Sequence, residues 1–244
     1  MEGAILFDFG GTLDCPAHWL DRFLAHYRAV GLELDRAILD RAFTAATAFA
    51  YRTCDRMRDF DLAATIRYLV RHQLATLRET DMKLRAAIDA IGVEHAEATI
   101  STSFAAESLT GLAASRAVLE RLASRFQLAI VSNFYGNLDR IVDQSGLLPL
   151  ITFVADSSQL GSFKPDYAIF NAALQVLAMR PDHILMVGDS LTKDCAPAHA
   201  LGLRTAWLRY HTPGHPELGP GPPVVPDFTI DALAELHDLK WINS

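Results

Sequence analysis

Asp8, Ser132 with Asn133, Lys164, Asp189 and Asp194 are the residues of this 244-residue chain whose types and settings could do chemistry. Three of the settings repeat one theme: the apolar runs "AILFDFGG", "LAIVSN" and "ILMVGDS" each stop at an acid, hydroxyl or amide. A carboxylate at such an end can attack as a nucleophile, move a proton or offer a hard oxygen to a cation. Hydroxyl, amide and ammonium groups beside it can hold an anion. Singly, Asp, Ser and Asn are ordinary strand-end and helix-capping residues. Their convergence on one place would be the sign of a site.

The elements needed for that convergence are legible. The three runs, with "ITFVADS" and "LRTAWLRY", are apolar at consecutive positions, which predicts strands buried on both faces of a parallel sheet. Patterns such as "AASRAVLERLASRF" and "DYAIFNAALQVLAM" return apolar residues every three or four positions and predict helices between them. The fold class is therefore α/β, a doubly wound parallel sheet. In such sheets ligands bind outside the carboxyl ends of the strands, which would bring Asp8, Ser132, Asn133, Asp156, Asp189 and Ser190 to one edge.

The alternation breaks once. Residues 16–107 offer no strand but five helix candidates: Trp19 to Val30, Arg36 to Tyr51, Leu62 to Leu77, Met82 to Ile91 and Ala96 to Ala106. This predicts a core of residues 1–15 and 108–244, with an inserted α-helical cap at 16–107. Hinge strands are expected near Asp14 to Pro16 and Ser108 to Leu112. The Pro/Gly-rich "HTPGHPELGPGPPVVPDF" reads as irregular, and "TIDALAELHDL" as a final amphipathic helix.

Composition narrows the function. Half the residues are hydrophobic and the formal net charge is -7 with no dense basic run, which argues against nucleic-acid binding and for a small-molecule partner. Cys15, Cys54 and Cys195 are odd in number and far apart, fitting a reducing compartment better than a disulfide framework or a CxxC metal site. No leader pattern and no apolar stretch of roughly 18 residues is present, so a soluble cytoplasmic protein without membrane contact is expected, as monomer or homodimer.

Four motifs in order resemble the haloacid dehalogenase (HAD) superfamily, in its subgroup with a helical cap after the first motif. "DFGGTL" is similar to the nucleophile motif, "IVSN" to the second, "GSFKPDYAIF" to the lysine motif and "MVGDSLTKD" to the acidic fourth. The resemblance covers almost the whole chain. It implies a Rossmann-like core and Mg²⁺-dependent phosphoryl transfer from a small phosphorylated metabolite through an aspartyl-phosphate on Asp8. By the same resemblance Mg²⁺ is held by Asp8, the Gly10 carbonyl and Asp189. Thr12, Ser132, Asn133 and Lys164 hold the phosphoryl group, and Asp194 orients Lys164 or a metal-bound water.

One position departs from the family. Most of its phosphatases carry Asp where Gly10 stands, and that acid protonates the leaving oxygen and then activates water. Losing such a group costs about 10²–10⁴ in rate. Four readings remain. The chain is a phosphatase whose leaving group needs little protonation, or whose proton comes from Asp14, His18 or a cap residue. It cleaves a C–P bond with Lys83 as Schiff-base lysine. It is a 2-haloacid dehalogenase, against which the retained Asp189 and Asp194 weigh. Or it binds a phospho-ligand or protein without turnover. The phosphatase ranks first. In the cap, Arg52 and Arg56 share a helical face and could meet a second substrate anion, or be balanced by Asp55 and Asp59 at the surface. Trp19, Phe43 and Phe49 read as cap core.

Overall fold

The computed structural model describes residues 2–209, 224–239 and 241. Six parallel strands form one sheet in the order β3-β2-β1-β4-β5-β6. Strand β1 (Gly3–Phe7) lies at its centre, followed by helices α1 (Trp19–Ala29), α2 (Arg36–Arg52), α3 (Leu62–Thr80), α4 (Met82–Ile91) and α5 (Val93–Ala123). Then come β2 (Phe126–Ser132), α6 (Leu138–Gln144), β3 (Phe153–Asp156), α7 (Ser157–Leu160) and α8 (Tyr167–Leu177). Strand β4 (Ile184–Gly188) leads through a π-helical turn at Leu191–Cys195 into α9 (Ala196–Ala200), β5 (Arg204–Leu208) and β6 (Phe228–Ile230).

The consecutive apolar positions are explained by burial on both faces. Ile5, Phe7, Leu128, Ile130, Leu185 and Val187 join the core under α1 to α5. The alternate residues Ala4, Leu6, Ala129, Val131, Ile184 and Met186 pack on Ile169, Phe170 and Ala173 of α8 and Ala198 of α9. Chain order reverses beside β1: β2 and β3 extend the sheet one way, β4 to β6 the other. The crevice of a doubly wound sheet opens at such a switch point. Asp8 and Asp189 leave the sheet there, one residue beyond β1 and β4.

Three predicted elements differ. The expected hinge strand near Asp14 to Pro16 is turn and bend, with no strand between β1 and α1. The expected hinge strand at Ser108 to Leu112 is helix: α5 runs unbroken through it and delivers the chain to β2. Ser, Thr and Gly in "ESLTGLAA" look like a break because their helix propensity is low. Here they serve close packing. Ser115 Oγ donates to the Leu13 carbonyl at 2.7 Å and Ser108 Oγ to Asp14 Oδ2 at 3.0 Å. A side chain at Gly111 would run into the Asp14 backbone. The predicted final helix is instead β6 followed by a 3₁₀ segment at Leu233–Asp238. Strand β6 is only three residues long, too short for periodicity, and is held by Asp227, which accepts from Thr205 N at 2.9 Å and pairs with Arg204 at 2.9 Å. Residues 211–223 of the Pro/Gly-rich stretch lie outside the described residues. The three cysteines are free, and no helix among the described residues is long and apolar enough to cross a membrane.

Candidate active site

Strand ladders place the acids. Asp8 N continues the β1–β4 ladder by donating to the Val187 carbonyl at 2.9 Å, which fixes the backbone from which the carboxylate projects. Its Oδ1 accepts from Ser132 Oγ at 2.8 Å and from Lys164 Nζ at 2.6 Å. The same ammonium donates to Asp194 Oδ1 at 2.6 Å, so one buried cation bridges two buried carboxylates. Burial alone would push the Lys164 pKa down, but Asp194 and Asp8 outweigh it and hold the lysine charged. Burial pushes Asp194 up, with Lys164 pulling against it.

Backbone contacts hold this triad in place. Asn133 clasps the Lys164 main chain: its Oδ1 accepts from Lys164 N at 2.7 Å and its Nδ2 donates to Lys164 O at 3.0 Å. Its amide therefore positions Lys164, although the residue also lines the cavity. Asp194 Oδ2 accepts from Ser190 N at 3.0 Å. A Cβ at Gly188 would collide with that carboxyl. Gly11 has φ +85°, and Asp189 Oδ2 lies 2.6 Å from where its Cβ would stand, so the left-handed turn and the close acid both require glycine.

Oxygens of Asp8, Asp189 and Asp194 lie within 4.8 Å of one another. An all-carboxylate set on this scale suits a hard cation such as Mg²⁺. With Gly10, Ser132, Asn133 and Lys164 they line one cavity of about 370 Å³ at the carboxyl edge of the sheet. Thr12 is not brought there: it is buried, and its hydroxyl has no hydrogen-bond partner among the described residues. Asp156 caps instead, accepting from Gly136 N, Leu138 N and Ser158 N.

The candidate substitutes for the absent acid fall differently. Asp14 is fully buried and outside the cavity lining; its carboxylate takes Gly11 N at 2.7 Å, Trp19 Nε1 at 2.8 Å, Arg22 Nη1 at 2.6 Å and Ser108 Oγ at 3.0 Å. Burial pushes its pKa up against the pull of Arg22 and these donors. His18 does line the cavity, with Nδ1 accepting from Leu20 N at the start of α1. Lys83 is exposed on α4 and outside the lining. Arg52 and Arg56 are likewise exposed and outside the lining, and they do not share a helical face: α2 ends at Arg52, while Arg56 lies in a separate 3₁₀ turn at Cys54–Arg56, and Asp55 pairs with Arg58 at the surface.

Trp19 and Phe43, read from sequence as core, also form the cavity wall, with Tyr51, Phe134, Tyr135 and Trp207. Helical periodicity places an aromatic residue on an inner face but does not say where that face meets a crevice. For Phe134 and Tyr135 a signal was available: they directly follow "VSN" at the end of β2.

Comparison with known proteins bears on the fold and the family. Pyrimidine 5'-nucleotidase YjjG of Escherichia coli is 30% identical over 137 residues, covering 55% of this chain and 58% of that protein. The chain thus spans little more than half the length of the curated relatives it matches. The crystal structure of HAD-hydrolase YfnB from Bacillus subtilis, bound to magnesium, superposes with a TM-score of 0.55 at 20% identity over 97% of both chains. L-2-haloacid dehalogenase from Xanthobacter autotrophicus, with chloropropionic acid covalently bound, gives 0.60 at 17% identity over 98% of both. At these identities the two structures speak for the fold alone. The model of haloacid dehalogenase-like hydrolases matches residues 3–202, and the chain belongs to that family.

Proposed function

We propose that this chain is a Mg²⁺-dependent phosphatase acting on a small phosphate monoester, with Asp8 as nucleophile. The observation that carries the reading is the Asp8–Lys164–Asp194 bridge beside the Asp8–Asp189–Asp194 carboxylate cluster. Phosphoryl transfer needs little from a protein beyond in-line positioning and charge compensation. Both donors to Asp8 meet Oδ1, and no hydrogen bond among the described residues occupies Oδ2, the oxygen that would attack phosphorus. Lys164 offsets the anionic charge of nucleophile and phosphoryl group, Ser132 orients the carboxylate, and Asn133 and Asp194 hold Lys164. Mg²⁺, held by Asp8, Asp189 and the Gly10 carbonyl, would supply charge neutralisation at the phosphoryl oxygens. Asp189, a further carboxylate beside Asp8 suited to a cation, favours the phosphatase over a 2-haloacid dehalogenase, and Lys83 lies outside the cavity lining needed for a phosphonatase.

Helices α1 and α2 supply His18, Trp19, Phe43, Thr47 and Tyr51 to the cavity wall. This supports the division into a core (1–15 and 108–244) and a cap (16–107), with the unbroken helix α5 crossing the second boundary.

The test is phosphate release from a panel of phosphomonoesters and acyl phosphates, with phosphonoacetaldehyde and 2-haloacids as controls, with Mg²⁺ and with chelator. Chelator-sensitive release that falls at least about 10³-fold in Asp8→Asn is expected. Halide release indifferent to chelator overturns the reading. Binding of Mg²⁺ and a phosphate mimic without any turnover would leave a binding module in its place.

A further inference from the structure

Resting on the phosphatase reading, we infer that the cavity takes aryl phosphates, monoesters whose leaving oxygen sits directly on a neutral aromatic ring. Two independent observations converge on this class.

The first is the wall. Trp19, Phe43, Tyr51, Phe134, Tyr135 and Trp207 surround the space above the carboxylates. Most of them form a connected set: Trp19 meets Phe134 at 6.0 Å between centroids, Phe134 meets Tyr135 at 5.1 Å, and Tyr135 meets Tyr51 at 5.1 Å. Such surfaces favour a planar ring, stacked or edge-on. Among the described residues, formal charge on the lining is confined to Asp8, Lys164, Asp189 and Asp194 at the floor and the exposed Lys193, with His18 the other ionisable group and no arginine. Lys164 is already shared by two carboxylates. A second phosphate or carboxylate on the substrate would find no buried cation among the described residues.

The second is the space beside Gly10. A Cβ there would stand 3.2 Å from Trp19 Nε1. An acid side chain there would need the indole to give by a few tenths of an ångström, and the indole N–H is committed to Asp14. The leaving oxygen must therefore depart without a proton from position 10. In the first step an Asp8 oxygen bonds to phosphorus while the P–O bond to the ring breaks. The electron pair of that bond leaves as aryloxide, delocalised into the ring, and is protonated by water afterwards. In the second, water attacks phosphorus of the aspartyl-phosphate, Asp8 departs as carboxylate, and the proton of the water passes to phosphate. With no base at position 10, this second step is the slower.

The experiment uses the intact protein with Mg²⁺. kcat/KM is measured for phenyl phosphates graded from 4-nitro to 4-methoxy, for phosphoserine and nucleoside 5'-monophosphates as alkyl esters, and for acetyl phosphate as a ringless ester with a stable leaving group. We expect a fall of about 100-fold across the aryl series, the range a missing general acid exposes, and alkyl esters slower still. A burst of aryloxide equal to the enzyme concentration should precede steady turnover. Acetyl phosphate should show a KM about tenfold above that of 4-nitrophenyl phosphate, and Tyr51→Leu should raise KM for aryl esters by a larger factor than for acetyl phosphate. A flat aryl series overturns the inference, and one that turns steep in His18→Asn assigns the proton to His18. Nucleoside monophosphates matching 4-nitrophenyl phosphate overturn it as well. Failure of the underlying reading looks different: no ester is cleaved, or cleavage survives in Asp8→Asn.

Discussion

Trp19 stands 3.2 Å from where a Cβ at Gly10 would lie, and its indole, although it lines the cavity, is held by its neighbours. Its ring meets Phe104 at 5.3 Å, Phe134 at 6.0 Å and Phe23 at 6.3 Å, and its N–H meets Asp14. From sequence alone, restoring the family's acid with Gly10→Asp should raise activity. The packing reverses that expectation: Gly10→Asp alone lowers the melting temperature and leaves phosphatase activity flat or reduced, because overpacking a rigid core costs about 1–3 kcal/mol. Combining it with Trp19→Leu should raise the rate at least about tenfold above Gly10→Asp. Steady-state kinetics and thermal melts on the three variants decide the matter. Asp14 is a separate case. Arg22→Met should cost about 3–5 kcal/mol in denaturant titration, because it strands a fully buried carboxylate.

At the level of elements, α5 does more than its sequence suggests. It carries Glu107 and Ser108 to the Asp14–Arg22 network and Glu97 to Arg67 and Arg71 on α3, at 2.7 and 2.9 Å. Gly111→Ala should displace the Asp14 loop and lower the melting temperature by several degrees. Burial pushes Glu97 up, but hydrogen bonds from Arg71 and Arg67 win and its pKa is lowered. A depressed carboxylate contributes stability above its unfolded pKa and loses it as pH falls through the folded value. Glu97→Gln should therefore cost about 0.5–1 kcal/mol at neutral pH, the arginines being exposed, and the difference from wild type should vanish below the carboxylate range. The five long strands and the first four helices were legible because their apolar residues keep a clear pattern. The length of α5 and the existence of β6 were not, since one hides its Gly and Ser against a loop and the other is pinned by Asp227.

Across the whole molecule the carboxylates of Asp8, Asp189 and Asp194 face one another, so cation binding should stabilise the fold. Mg²⁺ at about a hundred times its Kd would contribute about 2.7 kcal/mol, a rise of about 5–10 °C in melting temperature that chelator or Asp189→Asn removes. Sequence by itself determined the parallel sheet, its carboxyl edge and the meeting of Asp8, Ser132, Lys164, Asp189 and Asp194. Strand burial and the ordered motifs are local signals, and a parallel sheet has one edge where its strand ends collect. Tertiary structure decided the rest: Thr12 stays away from the cavity, Asn133 clasps the Lys164 backbone, and Lys83, Arg52 and Arg56 lie outside the cavity lining. It also decided what Gly10 means. A glycine in sequence is only an absent side chain; in the folded chain the space beside it is occupied by an indole brought from α1, and such a contact between elements is invisible until they pack.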